Sequence, residues 1–152
     1  KKFKDLAANG YKVSIARCYT FIGRNIMPYN YVISDLINDA LKKKEIKLKT
    51  TANLYRSFMH SDDLAKWLIT IVKNSNTKCP IYNVGSDKVI NLRKLTKKIA
   101  KLFDKKTLLK KISSKKFDYY CPSIAKAKKE LNLKISINLN DALNSTIKSL
   151  ND

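Results

Sequence analysis

Glycine is scarce in this sequence, with three residues in 152, at positions 10, 23 and 85. They stand too far apart to form the glycine-rich turn that opens a helix beneath a dinucleotide's phosphates. Such a cradle cannot be built from these residues. Cysteine is equally sparse. Cys18, Cys79 and Cys121 form no close pair and leave one unpaired, which argues against a disulfide framework and a zinc site. No metal site is expected, and a reducing, cytoplasmic setting fits best. The single histidine, His60, reads as a packed side chain rather than a catalytic one. No apolar run approaches the roughly 18–20 residues that a membrane span needs. The basic N-terminus lacks the apolar stretch of a signal peptide.

Acidic residues are also few, 12 against 32 basic ones, for a formal charge of +20. Arginine supplies only Arg17, Arg24, Arg56 and Arg93, so the other 28 basic residues are lysines spread along the chain. Nucleic-acid readers favour arginine forks and aromatic platforms. Neither is clustered in the sequence, so the charge reads as a lysine-covered surface, and nucleic acid is an unlikely partner. What is present suits one globular domain. The apolar fraction is 44%, and a chain of this size buries roughly 68–70% of its unfolded surface.

The pattern along the chain is α/β. Residues 1–9 read as the last turns of a helix, stopped by Asn9-Gly10. Residues 12–17 alternate as a strand with Val13 and Ile15 on one face. Residues 21–29, with Gly23 and Pro28, form the loop at that strand's C-terminal end, where open α/β sheets bind ligands. Residues 31–43 are an amphipathic helix carrying Val32, Leu36, Ile37 and Leu41. Short strands follow at 46–48 and 54–59. Ser61 is placed to cap the next helix, with Asp62 and Asp63 in its first turn. Leu64, Trp67, Leu68, Ile71 and Val72 make its apolar face. Residues 81–84 are a strand. Asn91 caps a helix with Leu92, Leu95, Ile99, Leu102 and Phe103 inward. Residues 104–122 are lysine-rich, with a strand near 108–112, and Ser123 and Asn140 are the expected caps of two final helices.

Two buried strands cannot make a stable doubly wound sheet alone. The chain also opens inside a helix without a methionine, so it reads as part of a longer protein.

The stretch Tyr55-Arg56-Ser57-Phe58-Met59-His60-Ser61-Asp62-Asp63-Leu64-Ala65 is the most informative. An arginine leads a short apolar run, and an Asp-Asp pair then opens a helix. Arginine beside a helix start is suited to phosphate, because its planar fork pairs two oxygens at once. The alternative is an ordinary ion pair with Asp62 or Asp63. Three other stretches accompany it. They are Val13-Ser14-Ile15-Ala16-Arg17 followed by Phe21-Ile22-Gly23; Ile81-Tyr82-Asn83-Val84-Gly85-Ser86; and Tyr120-Cys121-Pro122-Ser123 with Lys126-Ala127-Lys128-Lys129-Glu130-Leu131. In this order the four resemble the NAD-dependent epimerase/dehydratase family, the extended short-chain dehydrogenases, over nearly the whole chain.

The resemblance implies the C-terminal part of a Rossmann-like parallel sheet plus a smaller, mostly helical substrate-binding subdomain. Strands 12–17 and 81–84 would then be parallel and adjacent, with Arg56 near their C-terminal ends and a raw, apolar sheet edge beside 12–17. Residues 1–29 and 61–104 would end the Rossmann-like part, and 30–60 and 105–152 would form the subdomain. It implies the substrate-binding portion of a nucleotide-sugar epimerase or 4,6-dehydratase, with hydride transfer at sugar C4. NAD is the cofactor of the full-length parent, a nucleotide diphosphate sugar its substrate, and a homodimer its assembly. This portion would be inactive alone. The alternative is a non-catalytic anion- or nucleic-acid-binding module that uses the lysine-rich surface.

Residue by residue, the resemblance makes Arg56 the diphosphate clamp. Thr20 falls where relatives carry a sugar-nucleotide-contacting Asn, and Arg24 where they carry Pro. Residues 47–53, with Leu48, replace a Gly-x-Gly turn in a hairpin near the nucleotide base, and Tyr119 takes the place of a second phosphate-binding Arg. Lys1, with Asp5 four residues on, has the spacing of the lysine in the catalytic Tyr-x-x-x-Lys and would then also hold the nicotinamide ribose. Lys2, or a plain surface lysine, are the other readings. Asp63 is expected to be structural, ordering the Arg56 segment. Asn83 would tie loops together, and Gly85 would permit a turn.

Overall fold

The computed structural model describes residues 1–24, 31–115 and 117–150. The later part of the expected 21–29 loop lies outside them. The chain opens with helix α1 (Lys2–Ala8) and strand β1 (Ile15–Cys18), followed by the short β2 (Phe21–Ile22). Helix α2 (Val32–Lys42) leads to β3 (Glu45–Leu48), β4 (Asn53–Ser57) and β5 (Met59–His60). Helix α3 (Ser61–Lys73) precedes β6 (Ile81–Val84), β7 (Val89–Asn91) and helix α4 (Leu92–Leu102). Strands β8 (Lys106–Leu109) and β9 (Phe117–Tyr120) and helices α5 (Ala125–Leu131) and α6 (Leu139–Lys148) complete it.

Strands β1 and β6 run parallel and adjacent, with Ile15 opposite Ile81 and Cys18 opposite Val84. Among the described residues β1 has no ladder on its other edge. Arg17 and Cys18 of this strand are exposed, and Ile15 and Ala16 are half-buried. The strand is also shorter than its pattern. Val13 makes an antiparallel bridge to Asn76 instead of joining the ladder. The apolar run 54–59 is broken at Phe58, so β4 and β5 enter different sheets. Strand β5 pairs with β2, and β4 is the centre of a three-stranded sheet with β7 antiparallel and β9 parallel. The expected hairpin across 47–53 does not form. Strand β3 pairs in parallel with β8, 61 residues further on at Glu45 opposite Lys106.

Two cores hold these pieces. One gathers Ile33, Leu36 and Ile37 of α2, Ile46 and Leu48 of β3, Leu92, Leu95 and Ile99 of α4, and Leu143 of α6. The other gathers Trp67 and Ile71 of α3, Tyr82 and Val84 of β6, and Ile124, Ala127 and Leu133 around α5. Helix α4 packs with α2 and β3 in the first core, and α5 packs on β6 in the second. Helix faces are also narrower than their periodicity, and Leu41, Val72 and Leu102 are exposed.

The helix caps differ from expectation by one or two residues. His60, not Ser61, caps α3, its Nδ1 accepting from the Asp62 N–H at 3.2 Å. Asn138, not Asn140, caps α6 by accepting from the N–H groups of Asn140 and Asp141. Helix α5 begins at Ile124 without a side-chain cap, so Ser123 does not serve there. In contrast, Asn91 caps α4 as its position predicts, accepting from Arg93 N–H.

Candidate functional site

Arg56 stands on the middle strand of the three-stranded sheet, opposite Ile90 of β7 and Tyr120 of β9. Side chains alternate along a strand, so Arg56 shares a face with Leu54, Asp118 and Tyr120. Its side chain is 20% exposed and its Nη2 pairs with Asp118 Oδ2 at 2.5 Å. Nη1 donates to the Tyr55 carbonyl at 2.7 Å, and the guanidinium lies 5.9 Å from the Tyr120 ring centroid. The Tyr120 ring in turn meets Tyr19, at 5.0 Å between centroids, just beyond the C-terminal end of β1. Neither Asp62 nor Asp63 pairs with Arg56. The partner comes from 62 residues away.

Three cavities adjoin here. The first, of about 440 Å³, lies between α2 and the strands β3 and β4 and is lined by Lys43, Lys47, Leu48, Lys49, Thr50 and Arg56, among others. Asp35 and Asp39 also line it, but Asp39 is occupied by Lys43 Nζ at 2.5 Å and by Lys47 N–H. The second, of about 260 Å³, is lined by Arg56, Thr20, Phe21, Tyr31 and Phe58. The third, of about 410 Å³, opens at the C-terminal end of β1 and is lined by Cys18, Tyr19, Thr20, Arg24, Ser34 and Ser61. Arg56 is common to the first pair and Thr20 to the second pair. Together the cavities form a row from the β1 tip to the Lys47–Thr50 strip.

Of the residues singled out in the sequence, Arg56, Thr20, Arg24 and Leu48 come together along this row. The Thr20 hydroxyl donates to the Ser57 carbonyl, which ties the β1 tip to the arginine strand. Leu48 is a buried wall residue that also belongs to the first core. Two others do not join them. Tyr119 lies opposite Tyr55 in the ladder, so strand alternation turns it to the face away from Arg56 and it lines none of the three cavities. Lys1 is exposed at the start of α1, where its carbonyl accepts from the Lys4 and Asp5 N–H groups. It too stands outside the row.

Asp63 is 1% exposed and accepts from the N–H groups of Ser136 and Ile137, each at 3.0 Å, and from the Ser136 hydroxyl. It therefore anchors the 136–137 segment to the first turn of α3, not the Arg56 segment. Asn83 Nδ2 donates to the Ser123 carbonyl at 3.0 Å. Gly85 lies in the bend directly after β6, where packing leaves no room for a side chain. A Cβ there would stand 2.9 Å from Pro122 Cγ and 3.1 Å from Tyr19 Cβ. His60 is buried and bridges α3 to α6 through Nε2 and the Ser145 hydroxyl at 2.9 Å.

Sequence reasoning missed two residues. Asp118 holds Arg56 across the β4–β9 ladder, and nothing local announces that pairing. Ser34 is buried, its hydroxyl has no hydrogen-bond partner among the described residues, and it lines the third cavity. A polar residue among the inward positions of α2 was the available signal. Among the described residues no group of three or more His, Cys, Asp or Glu could hold a metal ion. No helix among them is long and apolar enough to cross a membrane.

Residues 5–85 match the NAD dependent epimerase/dehydratase family. That is more than half of the chain, and the chain belongs to this family. Its fold, a mixed α/β architecture with parallel strands, is the Rossmann-like fold of solved members. The epimerase Mth375 from Methanothermobacter thermautotrophicus superposes with a TM-score of 0.81 at 16% identity, over 99% of this chain and 46% of that one. UDP-glucose 4-epimerase from Thermotoga maritima, solved with UDP-glucose, gives 0.78 at 18% identity, over 92% and 46%. The dTDP-glucose 4,6-dehydratase from Bacillus anthracis, solved with NAD, gives 0.77 at 18% identity, over 91% and 44%. The chain thus spans a little under half the length of these relatives. None of the curated proteins matches it in sequence.

The residues here do not fit an NAD cradle. Gly10, Gly23 and Gly85 stand apart, and the strand ending before Gly85 leads into another strand, not into a helix. Gly23 instead lets the chain pass close to the Ser61 side chain at the start of α3.

Proposed function

We propose that this chain is the substrate-binding portion of an NAD-dependent nucleotide-sugar epimerase or 4,6-dehydratase. One observation carries the reading, namely that Arg56 sits where two members of a chemically graded row of cavities meet. Lysines and Thr50 line one end, the guanidinium the middle, and the hydroxyls of Ser34 and Ser61 the other end. A nucleotide sugar has the same grading, with a nucleoside, then a diphosphate, then a polyol. The fork of Arg56 grips the diphosphate, since a guanidinium pairs two phosphate oxygens at once. Ser34, with an unmatched buried hydroxyl, takes a hydrogen bond from or gives one to the sugar.

NAD, the cofactor expected of the full-length parent, would supply the hydride acceptor for oxidation at sugar C4. The residues of this chain hold and orient the sugar nucleotide and do not supply the cofactor cradle. The reading carries with it a homodimeric parent and a reducing, cytoplasmic setting for three free thiols. Alone, the chain turns over no nucleotide sugar. The test is calorimetric titration with UDP-glucose and dTDP-glucose. Arg56→Lys should weaken binding by roughly 1.5–3 kcal/mol, the scale of hydrogen bonds to charged groups. Unchanged affinity in the full-length enzyme sinks the clamp assignment, and turnover by the purified chain sinks the division of labour.

A further inference from the structure

We propose that the solvent face of the three-stranded sheet is a stacking surface for the bases of a single-stranded nucleic acid. The ladder places Tyr55 opposite Tyr119 and Asn53 opposite Phe117. Strand alternation then gathers Tyr55, Phe117 and Tyr119 on the face away from Arg56. Their ring centroids lie 5.0 Å apart for Tyr55 and Phe117, and 6.3 Å apart for each of the other two pairs. The planes of Phe117 and Tyr119 are within 12° of each other. Phe117 is 64% exposed and Tyr119 53%, so their faces are open to a planar ligand.

The electrostatics of this face select the ligand. Asp118 is the only acid on the three strands, and it lies on the opposite face in its pair with Arg56. Exposed cations stand at both ends. The N–H groups of Ser113 and Ser114 donate to the Thr51 carbonyl, which sets the segment carrying exposed Lys111 and Lys115 beside the start of β4. Exposed Lys88 immediately precedes β7, which runs antiparallel and so begins beside Ser57 at the other end. Ring faces flanked by cations, on a chain of charge +20, match unstacked bases on a phosphate backbone. A duplex keeps its base faces stacked and offers none to the rings. The surface is separate from the cavity row, so it stands or falls independently of the nucleotide-sugar reading.

The test is fluorescence anisotropy of the purified chain with labelled oligo(U), oligo(dT) and a duplex of equal length, at low and physiological salt. Both single strands should bind more tightly than the duplex, and a preference for oligo(U) over oligo(dT), or the reverse, names the source. Phe117→Ala and Tyr119→Ala should each weaken binding roughly 5- to 150-fold, the range found for base–aromatic stacking. Phe117→Leu should weaken it similarly, while Tyr119→Phe, which keeps the ring, should retain it. Binding of UDP-glucose should be unchanged in all four variants. Equal affinity for the duplex, or full affinity in the alanine variants, would mean charge alone and overturn the proposal. So would a concentration-dependent dimer, abolished by Phe117→Ala and indifferent to oligo(U), which would assign the rings to a second copy of the chain.

Discussion

Asp63 and Arg56 are seven residues apart and opposite in charge, and the fold treats them in opposite ways. Asp63 is sealed, with two backbone N–H groups and a hydroxyl filling its acceptor sites. Arg56 keeps partial access to solvent, borders two cavities, and its one carboxylate partner is itself 54% exposed. A charge satisfied by the chain holds structure. A cation whose carboxylate partner is an exposed side chain can exchange that partner for a ligand, because an exposed ion pair contributes only about 0–1 kcal/mol.

The largest effect that separates the two should come from Asp63→Ala. It leaves the Ser136 and Ile137 N–H groups without their acceptor and should lower stability by about 2–6 kcal/mol in denaturant titration, at roughly 1–3 kcal/mol per unmet group. Nucleotide-sugar affinity of the folded fraction should not change. A mild stability loss with lost affinity would reverse the contrast. Arg56→Gln should do the opposite, lowering affinity by about 1.5–3 kcal/mol with a midpoint shift near zero. Gly85→Ala probes the frame beneath both, where the new Cβ meets Pro122 and Tyr19. Overpacking of this kind costs about 1–3 kcal/mol, readable as a lower melting temperature. Asp118→Asn frees the guanidinium and should tighten nucleotide-sugar binding by up to about 1 kcal/mol, with higher salt shrinking the gain.

The smallest effect concerns Asp87, which pairs with Lys128 at 2.5 Å and ties the turn after β6 to α5. The Lys128 hydrogen bond holds its carboxyl below the ordinary carboxylate range. A lowered folded pKa contributes stability that is fully present above the unfolded value, about 3.9, and is lost as pH falls through the folded one. Acid unfolding should therefore show a component of at most about 1 kcal/mol, below pH 4, that Lys128→Ala removes while leaving the neutral-pH midpoint within the same margin.

Much of this molecule was legible before any coordinates. Helices α2, α3 and α4 follow a 3.6-residue apolar period, and that signal is local. The parallel pairing of the strands at 12–17 and 81–84 follows from the family resemblance, which the motifs in their order carry. The position of Arg56 on a short strand ahead of a helix was also readable. The cap of α3 was not. His60 takes that place because its second nitrogen finds Ser145 on α6, a partner 85 residues away. The break at Phe58 was equally hidden, since the residue turns into the first core while its neighbours on either side join separate ladders.

The two faces of β4 draw the final line. Composition and periodicity alone determined an α/β chain, a basic surface, the helices, and an arginine suited to phosphate. These properties reside in single residues or in neighbours a few positions apart. Only the tertiary structure decided that Asp118 would hold that arginine, that Ser34 would be left with an unmatched hydroxyl, and that Tyr119 would join Tyr55 and Phe117 on the opposite face. Each depends on the register between strands whose paired residues are 64 positions apart or on packing between distant elements. A one-residue slip in that ladder would send every side chain of β9 to the other face, and no local pattern specifies it.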